Sequence, residues 1–92
     1  MKASEISLHQ LRVWEFVRDL GTWVSVADIQ QATGVCPRTA RHHARNLTDQ
    51  GLLERVDVFP GARFRVLPDP ERRNPELMAR LERAREAFGE VA

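Results

Sequence analysis

Between Pro37 and Asn46 the chain places three arginines (Arg38, Arg41, Arg45) and two histidines (His42, His43) without a carboxylate. Guanidinium groups at this density suit one chemistry above others, the bidentate grip of phosphate or of a guanine edge. On a helix, 100° per residue gathers Ala40, Ala44 and Leu47 on one side. The opposite side then shows Arg38, His42, Arg45 and Asp49, flanked by Arg41 and Asn46. A second cationic pair, Arg63 and Arg65, alternates with Phe64 and Val66, as an exposed strand face would. The total charge of +1 hides this segregation. Residues 34–66 set six arginines against Asp49, Glu54 and Asp57, whereas residues 1–33 hold three basic and four acidic groups and residues 67–92 five and six. Thirteen of the 14 cationic side chains are Arg, a bias that phosphate binding favours and that a GC-rich genome also produces.

Other chemistries find little support. No Ser-His-Asp set has a supporting context, and there is no phosphate loop, metal-ligand spacing or paired carboxylate, so no catalytic residue, metal or cofactor is expected. His43 turns towards the apolar side near Leu47 and reads as a packed or capping residue; His9 carries no signal. Cys36 precedes a helix start and stands near Arg38, both of which lower a thiol pKa. A redox sensor is one reading of it, but no second Cys exists in the chain and any small residue fits there.

These side chains must be held by a small scaffold. Ninety-two residues make one domain, able to bury roughly 60–65% of its unfolded surface. The 42% apolar content argues against disorder, and no apolar run exceeds three residues, which excludes a membrane span or signal-peptide core. A lone Cys points to a reducing compartment, so a cytoplasmic location is expected. Ser7-Leu8-His9-Gln10 fits a capping box, with Ile6 and Leu11 as a hydrophobic staple, and opens a helix over 8–20 that ends at Gly21. Ser25-Val26-Ala27-Asp28 repeats the device, with Val24 and Ile29 as staple, for a short helix over 26–33 ending at Gly34. Pro37 suits a first helical position, and the third helix runs over 37–50 to Gly51. Two helices joined by a three-residue Gly-containing turn are the sequence form of a helix-turn-helix. Beyond Gly51 the period shortens towards 2, and residues 52–58 and 62–67 read as strands joined at Phe59-Pro60-Gly61 by a type II or similar tight turn. Asn74 and Pro75 open a last helix over 75–88, whose Leu77, Leu81, Ala84 and Phe88 form a heptad-like stripe. Glu76 with Arg80 and Glu82 with Arg85 are its expected flanking pairs.

The order of elements resembles a winged helix-turn-helix. Asp28-Ile29-Gln30-Gln31-Ala32-Thr33-Gly34-Val35 looks like the first part of such a motif, and residues 36–47 resemble its recognition helix. Thr48-Asp49-Gln50-Gly51-Leu52-Leu53-Glu54-Arg55 is similar to the approach to the wing in MarR-like and ArsR-like regulators. The likeness covers residues 7–67 and departs at Cys36, where Ser, Thr or Asp is usual, and at Ala44, where Leu is common. It implies an α+β, mainly α fold: a three-helix winged helix-turn-helix (1–67) with a two-stranded wing, a linker (68–74) and a C-terminal helix (75–92). It also implies a sequence-specific double-stranded DNA-binding regulator, probing the major groove with helix 37–50 and using the 53–67 hairpin as wing. The DNA-contacting residues would be Arg38, Thr39, Arg41, His42, Arg45, Asn46, Arg63 and Arg65. Leu77, Leu81, Ala84 and Phe88 would support a homodimer, which sets two recognition helices about one DNA turn apart. No small-molecule effector is evident. The alternatives are a protein-binding winged helix and a component of a replication or recombination assembly, since a fold alone does not settle function.

Overall fold

Ser7 starts the first helix, α1 (Leu8–Leu20), by accepting the Gln10 backbone N–H at 3.1 Å. The expected box is only half made, because the Gln10 side-chain amide donates to Asn46 Oδ1 on a distant helix at 3.1 Å instead. The computed structural model describes residues 6–91, so the first five residues and Ala92 of the expected domain bounds lie outside the described residues. α1 buries Leu11, Val13, Trp14 and Val17, with Phe16 half-buried, and leaves Leu20 exposed. It packs on α2 (Val26–Thr33), α3 (Pro37–Asp49), β3 (Gly61–Val66) and α5 (Pro75–Val91).

α2 begins with a complete capping box: Ser25 Oγ accepts the Asp28 N–H at 3.1 Å, and Asp28 Oδ2 accepts the Ser25 N–H at 3.0 Å. α3 ends through Gly51, whose φ of 88° is a backbone setting that favours glycine. The Gly51 N–H reaches the Thr48 carbonyl and the Leu52 N–H reaches that of Leu47, the paired bonds of a Schellman stop. Leu47 and Leu52 are both fully buried, so the stop also aims the next segment into the core.

Two strands follow as expected, β2 (Leu53–Val58) and β3, but the sheet has three strands in the order β1-β3-β2. β1 is only Val24–Ser25, paired antiparallel to β3 with Val24 opposite Phe64 and Ser25 opposite Arg63. Val24, the expected staple residue before the α2 cap, is also a strand residue, and it and Ile29 are buried in the same core. The hairpin turn also differs from expectation. Gly61 belongs to β3 opposite Val58, and the turn is the cis Phe59–Pro60 pair, a type VI form; a type II turn would need positive φ at the site Pro60 occupies.

The stretch expected as a linker holds a one-turn helix, α4 (Pro70–Arg73), entered through Asp69 at φ 55°. Asn74 then caps α5, its Oδ1 accepting the Leu77 N–H at 3.1 Å, while its Nδ2 donates to the Gln50 carbonyl at 2.9 Å and ties α5 to the end of α3. Leu77 and Leu81 are buried in the chain's own core, and Ala84 and Phe88 pack against it half-buried. Arg85 faces Glu15 of α1 at 3.6 Å rather than making the expected pair with Glu82.

His43 on α3 is half-buried. Its pKa is lowered, first by desolvation and then by the like charges of His42 and His9. The fold therefore favours the neutral ring, and stability that is complete above the unfolded value near 6.5 is lost as pH falls below it. His43→Gln should flatten the fall in melting temperature between about pH 7.5 and pH 5 that the wild type shows. Leu81→Glu should unfold the chain, costing more than about 3 kcal/mol, because it places a carboxylate in the core; a folded variant by circular dichroism would refute the packing. Gly51→Ala should cost about 1–2 kcal/mol in chemical denaturation through backbone strain alone, since no atom lies within 4 Å of an added Cβ.

Candidate nucleic-acid interface

The turn between α2 and α3 aims the cationic face. Thr33 Oγ1 donates to the Ile29 carbonyl at 2.7 Å and accepts the Val35 N–H at 3.4 Å. Gly34 takes φ 78°, so the chain reverses in three residues and plants buried Val35 beneath the start of α3. Pro37 occupies the first turn of α3, and Cys36 caps it without a side-chain bond to the helix amides. The exposed Cys36 sulfur instead lies 3.3 Å from Thr39 Oγ1. That hydroxyl contact is the main reason its thiol pKa falls below the ordinary value.

α3 buries Ala40, Ala44 and Leu47 completely. Ala44, where leucine is common, is among the fully buried residues. Arg38, Arg41, His42 and Arg45 are exposed on the other side. Among the described residues no carboxylate forms an ion pair with Arg38, Arg41, Arg45 or Arg63. His42 and His43 place their rings 5.3 Å apart and tilted, and no three potential metal ligands come together among the described residues.

Other residues expected at the DNA surface are engaged within the chain. Half-buried Asn46 accepts the Gln10 amide and also lies 3.5 Å from the Gln50 amide, which makes it a tie between α3 and α1. Thr39 is turned to the Cys36 sulfur. Arg65 lies 4.4 Å over the Trp23 ring and donates from Nε to Glu54 Oε2 at 2.8 Å, its cross-strand partner. That arginine clamps the wing to the segment before β1, and the ring and carboxylate cover much of its surface.

Between α3, the hairpin and the start of α2 lies an open cleft of about 650 Å³. Arg41, Arg45, Arg55 and Arg63 line it, with Asp57 the one carboxylate among the lining residues. Asp57 is already held by Arg55 at 2.9 Å. Ser25, Val26 and Ala27 complete the cleft, so the amide end of α2 adds a positive dipole that Asp28 partly offsets. The charge pattern along the sequence counts Arg55 among its six arginines but leaves it out of the DNA-contacting set, and it misses the α2 start. The register shows why: Arg55 pairs opposite Phe64 and so shares the inner face of the hairpin. Phe59 at the hairpin tip, fully exposed, is also absent from the sequence-based set.

Compared by sequence, the chain matches no family model and no curated protein. Compared by structure, it is similar to BpsR of Bordetella bronchiseptica (TM-score 0.66, 21% identity, 95% of this chain and 67% of that one), whose DNA binding is regulated by 6-hydroxynicotinic acid. It is also similar to NadR in complex with 4-hydroxyphenylacetate (TM-score 0.60, 15% identity, 96% of this chain and 64% of that one). A third is the multiple antibiotic resistance repressor MarR (TM-score 0.60, 15% identity, 94% and 59%). The chain thus spans about three fifths to two thirds of the length of these proteins. Two of the three involve a small aromatic acid, so the lack of any effector signal in the sequence is no guide to whether such a fold takes one. No helix among the described residues is long and apolar enough to cross a membrane. The chain has the winged helix-turn-helix fold of the MarR-type regulators.

Proposed function

We propose that the chain is a double-stranded DNA-binding transcriptional regulator of repressor type that lays α3 in the major groove with the β2–β3 hairpin against the adjoining backbone. The observation that carries this reading is the face of α3. Arg38, Arg41 and Arg45 project from it without an acidic partner among the described residues, and two of them continue into the arginine-lined cleft beside the wing. Cations left unpaired on one face, backed by a buried apolar face, match the phosphate walls of a groove that admits a single helix. Residues near the start of α3, Arg38, Arg41 and His42, would reach base edges, and Arg45 and Arg63 would hold backbone phosphates. Thr39, Asn46 and Arg65 would act mainly by setting the positions of α3 and the wing.

Occupation of an operator by a homodimer would repress by steric exclusion. Because Leu77 and Leu81 are taken up in the chain's own core, the dimer surface would be built from the outer part of α5, around Ala84 and Phe88, rather than from the whole stripe. Small aromatic acids of the kind named for BpsR and NadR are the first effectors to screen for release of DNA.

Fluorescence anisotropy with a mixed-sequence duplex of about three helical turns tests the reading. Affinity should fall steeply with salt, and Arg41→Ala/Arg45→Ala should abolish or strongly weaken binding. The double variant should also flatten the log–log salt slope by about 1, the share of the phosphate that Arg45 no longer neutralises. Circular dichroism should be unchanged, since both side chains are exposed. Wild-type affinity in the folded double variant, or no binding by the wild type at low salt, would overturn the proposal.

A further inference from the structure

Three of the four phenylalanines, Phe16, Phe64 and Phe88, are buried or half-buried, whereas Phe59 at the tip of the hairpin is 100% exposed. Leaving the ring in water forgoes the stabilisation that burial would return. Pro60 beside it is exposed too, and Val56 and Val58 stand uncovered on β2 behind it. The apolar tip therefore lacks a cover within the described chain.

What would cover it is indicated by its surroundings. Phe59 and Pro60 border the same cleft that Arg41, Arg45 and Arg63 line together with the Arg55–Asp57 pair, so the surroundings of the tip are cationic on balance. An occupant that is anionic outside and apolar within fits that combination. The duplex minor groove has this character, with phosphate rims, sugar walls and base edges, and proteins that enter it use Phe and Pro among their apolar wedges. The hairpin turn is only two residues long, so a wing of this length cannot lie far along the groove, and the side chain at its very tip is the one that extends furthest.

We infer that Phe59 is an apolar minor-groove contact, a wedge at the wing tip that adds salt-independent affinity and favours readily deformed base steps. The inference rests on the DNA-binding reading above. Pyrimidine–purine steps, which unstack most easily, are the steps it would prefer.

The test uses the full chain in anisotropy salt series, comparing wild type, Phe59→Ser, Phe59→Trp and the Arg41→Ala/Arg45→Ala variant on one mixed-sequence duplex. Phe59→Ser should weaken binding roughly ten- to thirty-fold at every salt concentration with an unchanged slope, because an apolar contact releases no counterion. Phe59→Trp should bind like wild type, and its added emission, measured against the wild-type signal of Trp14 and Trp23, should become protected from acrylamide when duplex is present. If the arginine variant loses binding while Phe59→Ser binds as wild type and the tip tryptophan stays quenchable, the wedge is refuted and the DNA reading stands. If the wild type shows no salt-sensitive binding, both fall. If Phe59→Ser changes only the sedimentation of the free protein, the tip is a protein contact and the wedge is likewise refuted. Circular dichroism of each variant confirms folding, which a fully exposed position should not disturb.

Discussion

The apolar face of α1 is the surface on which the rest of the molecule is assembled. Val13, Trp14 and Val17 are at 1% exposure or less, and α2, α3, β3 and α5 all rest on this helix. A chain of this size builds one thin core, so no second cluster can hold the outer elements if the first is disturbed. Trp14 is the largest fully buried side chain, and α3 packs on the helix that carries it. The position of α3, and with it the direction of every arginine on its far side, depends on that contact.

From this dependence comes a division of labour among polar groups. Side chains that lie where two elements meet are used to join them: Asn46 to Gln10, Asn74 to Gln50, Arg65 to Glu54 and Trp23. Arg38, Arg41 and Arg45 on the far face of α3 are exposed and have no acidic partner among the described residues. No polar side chain is left buried without a partner among the described residues, so the scaffold is closed to water while its arginine face stays open. A single face can therefore be lined with like charges at little cost, because each guanidinium keeps its hydration until a polyanion displaces it.

The hairpin shows the same logic on a smaller scale. Its two long strands pair in register from Leu53–Val66 to Val58–Gly61, with the inner residues Leu53 and Phe64 in the core. The short β1 fastens the hairpin to the start of α2, so that wing and helix-turn-helix share one edge and enclose a common cleft. Arg55 and Arg63 thereby come to border the cleft that Arg41 and Arg45 also line.

Much of this was legible in the residue order, where local rules operate. Capping groups, glycines at left-handed stops and the change of period at Gly51 placed α1, α2, α3, β2 and β3 within about two residues, because each signal acts over a single turn or pleat. The alternation of apolar and cationic residues likewise identified which side of α3 would face solvent. Contacts between segments distant along the chain were not legible. β1 is too short to show a period and exists only because β3 lies beside it; Gln10 left its local cap for Asn46; Arg65 turned to Trp23 and Glu54; Leu77 and Leu81 entered the chain's own core. In each case a group had a local option and a distant one, and packing made the distant option the better satisfied. Residue types and spacing determined the elements and the cationic face by themselves. Only the tertiary structure decided which polar and apolar groups the fold would use up and which it would leave exposed, because burial and hydrogen-bond satisfaction depend on neighbours that sequence distance does not reveal.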